Sequence, residues 1–210
     1  MAGCCLMDLL VALSIGVLMS GTILQVLCSD GRASMGLSRL LRERAVQQRT
    51  LALIQNDLAR TTRISSDPQR EQHACGLAGR LPLLHLSTAA GSITYSLGAA
   101  PSGIWRGQVL MRCGPAFGLH GEPNPGSLSQ NRVLLDGLAS AVEPWAGCSQ
   151  LLNSGAPLVD LSGSSSHSVS ACLQPSTGLL ALRLEQAFPA PGQTENAMRV
   201  SRERVLGVLP

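Results

Sequence analysis

The sequence predicts an α+β protein: a long N-terminal α-helix, transmembrane in its first half and amphipathic in its second, packed on a mainly antiparallel β-sheet. Three observations predict it. Residues 9–28 form an apolar run without a charge. No proline precedes Pro68, and apolar residues recur at helical spacing through Leu58. From about Leu81 the pattern changes to short apolar or alternating runs separated by Gly, Pro and Ser.

The first element is the apolar run LLVALSIGVLMSGTILQVLC. Twenty helical residues rise about 30 Å, the thickness of a bilayer hydrocarbon core. A cleaved signal peptide would have a basic start, a shorter apolar stretch and a small-residue cleavage site after it. Here nothing basic precedes the run, and the run is long. A lipoprotein signal places its apolar stretch before the cysteine, whereas here Ala2-Gly3-Cys4 comes first. The run therefore predicts an anchor.

Asp8 breaks the pattern of a plain anchor. It stands between Cys4-Cys5-Leu6-Met7 and Leu9-Leu10-Val11. A carboxylate at bilayer depth costs about 2.5–3.5 kcal/mol, less near an end, so such residues usually have a partner. A cut after Gly3 would place a new α-amine on Cys4, one helical turn before Asp8. The amine of an adjoining subunit could meet the same carboxylate.

Beyond the apolar run, Leu37, Leu41, Ala45, Leu51, Ile54 and Leu58 recur at three- to four-residue spacing, with a gap around Gln48. Arg42, Glu43, Gln47, Arg49 and Asn56 are expected on other faces. That is one stripe for a partner surface on an amphipathic helix. The simplest reading is one helix, loosened near Gly31 and Gly36 and ended by Ser65-Ser66-Asp67-Pro68. At about sixty residues it would span roughly 90 Å. One modest domain cannot cover that length, so the apolar half is expected to pack against other subunits.

The remainder reads as strands at LPLLHLST, SITYSL, IWRGQVLMR, RVLLDGLA, SVSACL, LLALRLEQ and MRVSRERVLGV. Alternation is clear at Ile93, Tyr95 and Leu97, and at Leu180, Leu182 and Leu184. GLHGEPNPGSLSQ, SGSSSH and FPAPGQTEN read as loops. The expected architecture buries the helix stripe against one face of the sheet. The division is residues 1–3 as a leader, 4–28 as the transmembrane half, 29–66 as the amphipathic half and 67–210 as the β-rich domain.

Composition narrows the function. The 210 residues include only five aromatics, so a core must be built from aliphatic side chains. The net charge is +3, carried by arginines scattered along the chain. A nucleic-acid site normally clusters its basic residues among aromatics, so that partner is disfavoured, though not excluded. Cys75, Cys113, Cys148 and Cys172 are well separated and lack the close pairs of a zinc site. Two disulfides in an oxidising compartment are the simpler reading, with four buried thiols as the alternative. Three connectivities are open. Shortest-loop closure favours Cys75–Cys113 and Cys148–Cys172.

No catalytic constellation stands out. His73, His85, His120 and His167 share no ligand spacing, and His85 is expected to be a surface or hydrogen-bonded strand residue. There is no GxSxG, HExxH or P-loop pattern. Ser164-Ser165-Ser166 reads as a loop, and acids are too sparse for a calcium cage. The chain is expected not to be an enzyme, with no cofactor and no metal.

GCCLMDLLVALSIGVLMSGTIL resembles the type IV prepilin N-terminus, with Cys4 where that family usually has Phe and Asp8 where it usually has Glu. The following arginine- and glutamine-rich helix ending QNDLARTTR is similar to the J-type pseudopilins and W-type minor pilins. ITYSLGAAPSGIWR also resembles the Tyr-x-Leu…Arg hairpin of those types. The resemblance implies that a membrane peptidase cleaves after Gly3 and methylates the amine of Cys4. It implies that Asp8 pairs with the N-terminus of an adjoining subunit, where a buried ionic pair can fix register.

The expected role is a minor subunit of a type IV pilus or type II secretion filament, aiding initiation or tip assembly. The expected partners are other pilin or pseudopilin subunits, the prepilin peptidase and the bacterial inner membrane. Two alternatives are a binding module at a pilus tip and an unrelated single-pass anchored protein. The C-terminal domain is expected outside the cytoplasm, as the cysteines and the resemblance imply. Arg32, Arg39, Arg42, Arg44 and Arg49 all follow the apolar run, and the positive-inside rule would place that side within.

Overall fold

The computed structural model describes residues 3–65, 75–76, 79–119, 121–140, 142–152, 155–162, 166–189 and 197–207, with residues 3–6 and 32–33 as backbone only. Helix α1 spans Gly3–Leu58 and runs unbroken through Gly31 and Gly36. Its N-terminal portion through Arg42 and the unit that begins at Glu43 are separate compact units. In the first, the side chains from Met7 to Gly31 are all exposed. Among the described residues, this is the one helix long and apolar enough to cross a membrane by length and composition.

The helix ends at Leu58, earlier than the expected boundary at residue 66, and Thr61–Ser65 forms strand β1. The cause is local. Three of five residues in Thr61-Thr62-Arg63-Ile64-Ser65 are β-branched and favour a pleated strand. The Thr61 hydroxyl donates to the Asp57 carbonyl at 2.8 Å, which takes up one of the acceptors left free at the helix end. Ser66, Asp67 and Pro68 lie outside the described residues.

The other strands are β2 (Leu81–Thr88), β3 (Gly91–Ala99), β4 (Gln108–Gly114), β5 (Gln130–Leu138), β6 (Val159–Asp160), β7 (Val169–Gln174), β8 (Leu179–Pro189) and β9 (Ala197–Gly207), with a short helix α2 at Gly147–Leu152. They form one sheet in the order β1-β2-β3-β4-β5-β8-β7-β6, and β9 joins β8 off this path. The pairings with a known register are all antiparallel. Strands β1 to β5 are a meander. It meets β8 at the pair Leu138–Gln186 and in the bond from the Ala139 amide to the Glu185 carbonyl.

The core is aliphatic. Leu51, Ile54 and Leu58 of α1 pack with Leu84, Leu86, Ile93, Tyr95 and Leu97, and with Leu180, Leu182 and Leu184 of β8. Burying one such aliphatic side chain contributes about 1.5–3 kcal/mol. The alternation read in β3 and β8 thus faces the helix.

Two expectations need correction. First, only the later part of the helical stripe is core. Leu37 and Leu41 are 57% and 55% exposed, whereas Glu43 and Gln47 are buried. The inward face follows Glu43, Gln47, Thr50, Leu51, Ile54, Asp57 and Leu58, and the sheet supplies partners for its polar members. Second, β8 is buried on both faces. Ala181 and Cys172 pack under Trp145 and Leu152 in a second cluster. Helix α2 lies over this face because the Cys148–Cys172 disulfide ties it to β7.

Candidate assembly site

Four turns of α1 deliver polar groups to the sheet, and each finds a partner there. Positions 43, 47, 50, 54 and 57 advance by four, three, four and three residues, which keeps them on one helical face. Glu43 stands at one end and Asp57 at the other.

At the C-terminal end, Asp57 is 0% exposed, Arg112 1% and Tyr95 2%. Arg112 Nε donates to Asp57 Oδ2 at 2.7 Å, and Nη2 donates to Oδ1 at 3.2 Å. Tyr95 Oη donates to Asp57 Oδ2 at 2.5 Å. The strands fix this geometry because Tyr95 of β3 and Arg112 of β4 are register partners. Burial, reinforced by the Asp57 charge, pushes the Tyr95 hydroxyl well above its ordinary range. Burial opposes the charge on Arg112, but hydrogen bonding and charge from Asp57 outweigh it and raise its pKa. The Arg112 guanidinium also lies 4.5 Å from the centre of the Phe117 ring.

At the other end, Arg106 bridges two carboxylates. Its Nη2 donates to Glu43 Oε1 at 2.9 Å and to Asp136 Oδ1 at 3.0 Å. Its Nε and its backbone amide both donate to Asp136 Oδ2 at 3.1 Å. The second oxygen of Glu43 accepts from Gln186 Nε2 at 3.1 Å. Partial burial opposes the Asp136 charge, yet hydrogen bonds from Arg106 outweigh it and hold the carboxyl below its ordinary range. This bond set also corrects the predicted strand at residues 104–112. Arg106 is drawn toward Asp136, and β4 begins only at Gln108.

Between the ends, α1 bonds to strand backbone. Gln47 Nε2 donates to the Val200 carbonyl of β9 at 3.0 Å, and the Thr50 hydroxyl donates to the Leu134 carbonyl of β5 at 3.4 Å.

The residues expected from sequence to act in assembly lie elsewhere. Gly3 and Cys4 are in the first turn of α1. Asp8 is exposed on that helix between exposed Met7 and Leu9. The four domain cysteines form Cys75–Cys113 and Cys148–Cys172. His85 is buried, with Nδ1 2.8 Å from the Thr94 hydroxyl. His73 and His120 lie outside the described residues, as do Ser164 and Ser165. Among the described residues no cluster of His, Cys, Asp or Glu is placed to hold a metal ion.

Sequence reasoning missed the whole polar face. A signal was available: Asp57 is the acid in QNDLARTTR, while Tyr95 and Arg106 belong to ITYSLGAAPSGIWR. These two stretches meet in the structure, since Tyr95 bonds Asp57. Comparison of the chain with family models, with curated proteins and with solved structures finds no match.

Proposed function

We propose that the chain is a structural subunit of a membrane-anchored filament, and not an enzyme. More particularly, it is a minor pilin or pseudopilin of the W or J type, held in the bacterial inner membrane with its β-rich domain outside the cytoplasm.

The observation that carries this reading is Asp8, one turn beyond Gly3-Cys4 on a helix whose side chains from Met7 to Gly31 are exposed. An exposed apolar helix of that length requires lipid or other helices around it. A carboxylate inside it requires a counter-charge, which the α-amine of an adjoining subunit would supply after cleavage. Two disulfides in the β-rich part support an oxidising compartment. The inward polar face of α1 would keep the β-rich domain fixed to its helix while the apolar half packs with neighbouring subunits.

The test is intact-mass and N-terminal peptide analysis of the protein from its own membranes. A mature chain beginning at N-methylated Cys4 is expected. An N-terminus that retains Met1, or that extends upstream of it, overturns the filament reading. In the same cells, Asp8→Ala is expected to remain in the membrane and to drop out of filaments.

A further inference from the structure

A cleft of about 900 Å³ lies between the segment 142–150 and the β8–β9 hairpin. Glu143 and Trp145 line it from the segment, Arg183 and Glu185 from β8, and Arg199 and Glu203 from β9. Its two sides are fastened together. The Cys148–Cys172 bridge ties α2 to β7. Buried Arg183 donates from Nη1 to the Glu143 carbonyl at 3.0 Å and from Nη2 to the His167 carbonyl at 3.1 Å. The cleft is therefore formed before any ligand arrives, as most ligand sites are.

Three carboxylates and two guanidiniums line it, an excess of one negative charge on a chain whose net charge is +3. Arg199 is paired with Glu185 at 3.1 Å. Burial works against the charge of Arg183, while Glu185 and Glu203 favour it. Glu143 and Glu203 are exposed, and neither carboxylate has an ion-pair partner among the described residues. Trp145 is 8% exposed, and its indole nitrogen has no hydrogen-bond partner among the described residues. Gly147, also in the lining, leaves the place beside that nitrogen without a side chain, since a Cβ there would collide with it. Buried N–H groups are nearly always paired, so this one marks a position for an acceptor that the chain does not supply.

We propose that this cleft binds an extended peptide through one lysine or arginine side chain. The cation lies against Glu143 and Glu203, where its hydrogen bonds are charge-assisted, and a main-chain carbonyl of the peptide accepts from Trp145 Nε1. The two demands together select this ligand. An anion offers an acceptor but meets the excess negative charge. A polyamine offers the cation but no acceptor for the indole. A neutral saccharide offers acceptors but leaves the excess charge unmet. A bare metal ion finds no cluster of His, Cys, Asp or Glu placed to hold it among the described residues. A basic peptide supplies acceptor and cation from one residue, and the cleft is far larger than a single amino acid. Every group in the site belongs to the β-rich unit, so the binding stands independently of the filament reading.

The test uses the detergent-solubilised full chain, immobilised and panned against a library of random displayed peptides. The control is Glu143→Gln with Glu203→Gln, two exposed positions, and intact disulfides confirm its folding. Peptides enriched on wild type are expected to share a lysine or arginine. A synthetic peptide of the enriched sequence is expected to bind the double variant on the order of tenfold more weakly, and wild type more weakly as salt rises. In ¹⁵N-labelled Trp105→Phe protein the remaining indole N–H resonance is expected to move downfield as that peptide binds. Enrichment without a basic residue, or equal binding to wild type and double variant, overturns the proposal. An indole resonance that does not move, or binding on a saccharide array in place of peptides, overturns it as well. The source of the segment is read by sedimentation of the purified chain. Self-association that the double variant loses assigns the basic segment to a second copy, and a monomeric wild type that binds the peptide assigns it to another protein.

Discussion

Arg112 holds Asp57 with two nitrogens, Nε to Oδ2 at 2.7 Å and Nη2 to Oδ1 at 3.2 Å, in a pair withdrawn from solvent. It joins the last turn of α1 to the middle of the sheet. Removing one partner leaves the other charge buried and uncompensated, which costs about 3–5 kcal/mol. Asp57→Ala is therefore expected to lower the stability of the β-rich unit by that amount in detergent-solubilised protein, measured by denaturant unfolding. Replacing Asp57, Tyr95 and Arg112 together by apolar residues of similar volume is expected to cost much less. If the triple variant is as damaged as the single one, the loss is one of packing and not of stranded charge.

Tyr95 is the single tyrosine of the chain, so ultraviolet absorbance of tyrosinate reports on it alone. In the folded protein it is raised above its ordinary value of 10.0 by burial and by Asp57. The absorbance step is expected well above pH 10 in the native protein and near pH 10 after denaturation. The linkage has a defined sign. The neutral phenol is the folded form, so its contribution is complete below pH 10 and is lost as pH rises through the folded pKa. A native titration at the denatured position would show that the hydroxyl is not held by Asp57.

Asp136 gives the acid counterpart. Its folded pKa is depressed below 3.8 by the bonds from Arg106, against the opposing effect of burial. Its stabilisation is present above the ordinary carboxylate range and is lost as pH falls through the folded value. The gap in melting temperature between wild type and Asp136→Asn is expected to be full at pH 6 and to close below about pH 4. A gap independent of pH would sink the ion-pair assignment.

The Cys148–Cys172 bridge closes a 24-residue separation and keeps α2 on the second face of the sheet. Cys148→Ser is expected to cost about 2–4 kcal/mol. Trp145 packs on Cys172 and Ala181, so its fluorescence is expected to shift to the red as that face opens. Gly147→Ala probes the same contact without touching the disulfide. An added methyl there collides with Trp145 Nε1 and is expected to displace the indole. Unchanged tryptophan emission in both variants would count against this packing.

Strands with unbroken aliphatic runs were legible: LPLLHLST is β2 to the residue, and β3, β5, β7, β8 and β9 fall within two or three residues of their expected ends. The long apolar helix at the N-terminus was legible for the same reason, since its length and composition are read directly from the sequence. The two-residue β6 carries no pattern of its own and owes its place to pairing with β7. The face of α1 was misread because hydrophobic periodicity assumes that the partner surface is apolar. Here the surface offers Arg106, Arg112, Gln186 and two strand carbonyls, so Glu43, Gln47, Thr50 and Asp57 turn inward while Leu37 and Leu41 remain exposed. Tertiary partners overrode the periodic signal, and no local rule in the helix sequence reports them.

Gln47 and Thr50 reach the carbonyls of Val200 in β9 and Leu134 in β5, on strands from different parts of the sheet. The β5–β8 register holds the single pair Leu138–Gln186, so these side chains act as stitches across a seam in the backbone pairing. A recombinant fragment must respect that seam. One beginning at Thr61, the natural cut after a helix, discards both stitches together with Glu43 and Asp57 and leaves Arg106 and Arg112 without their helix partners. One beginning a few residues before Glu43 keeps them all. A soluble version of this protein should carry the last five turns of its helix.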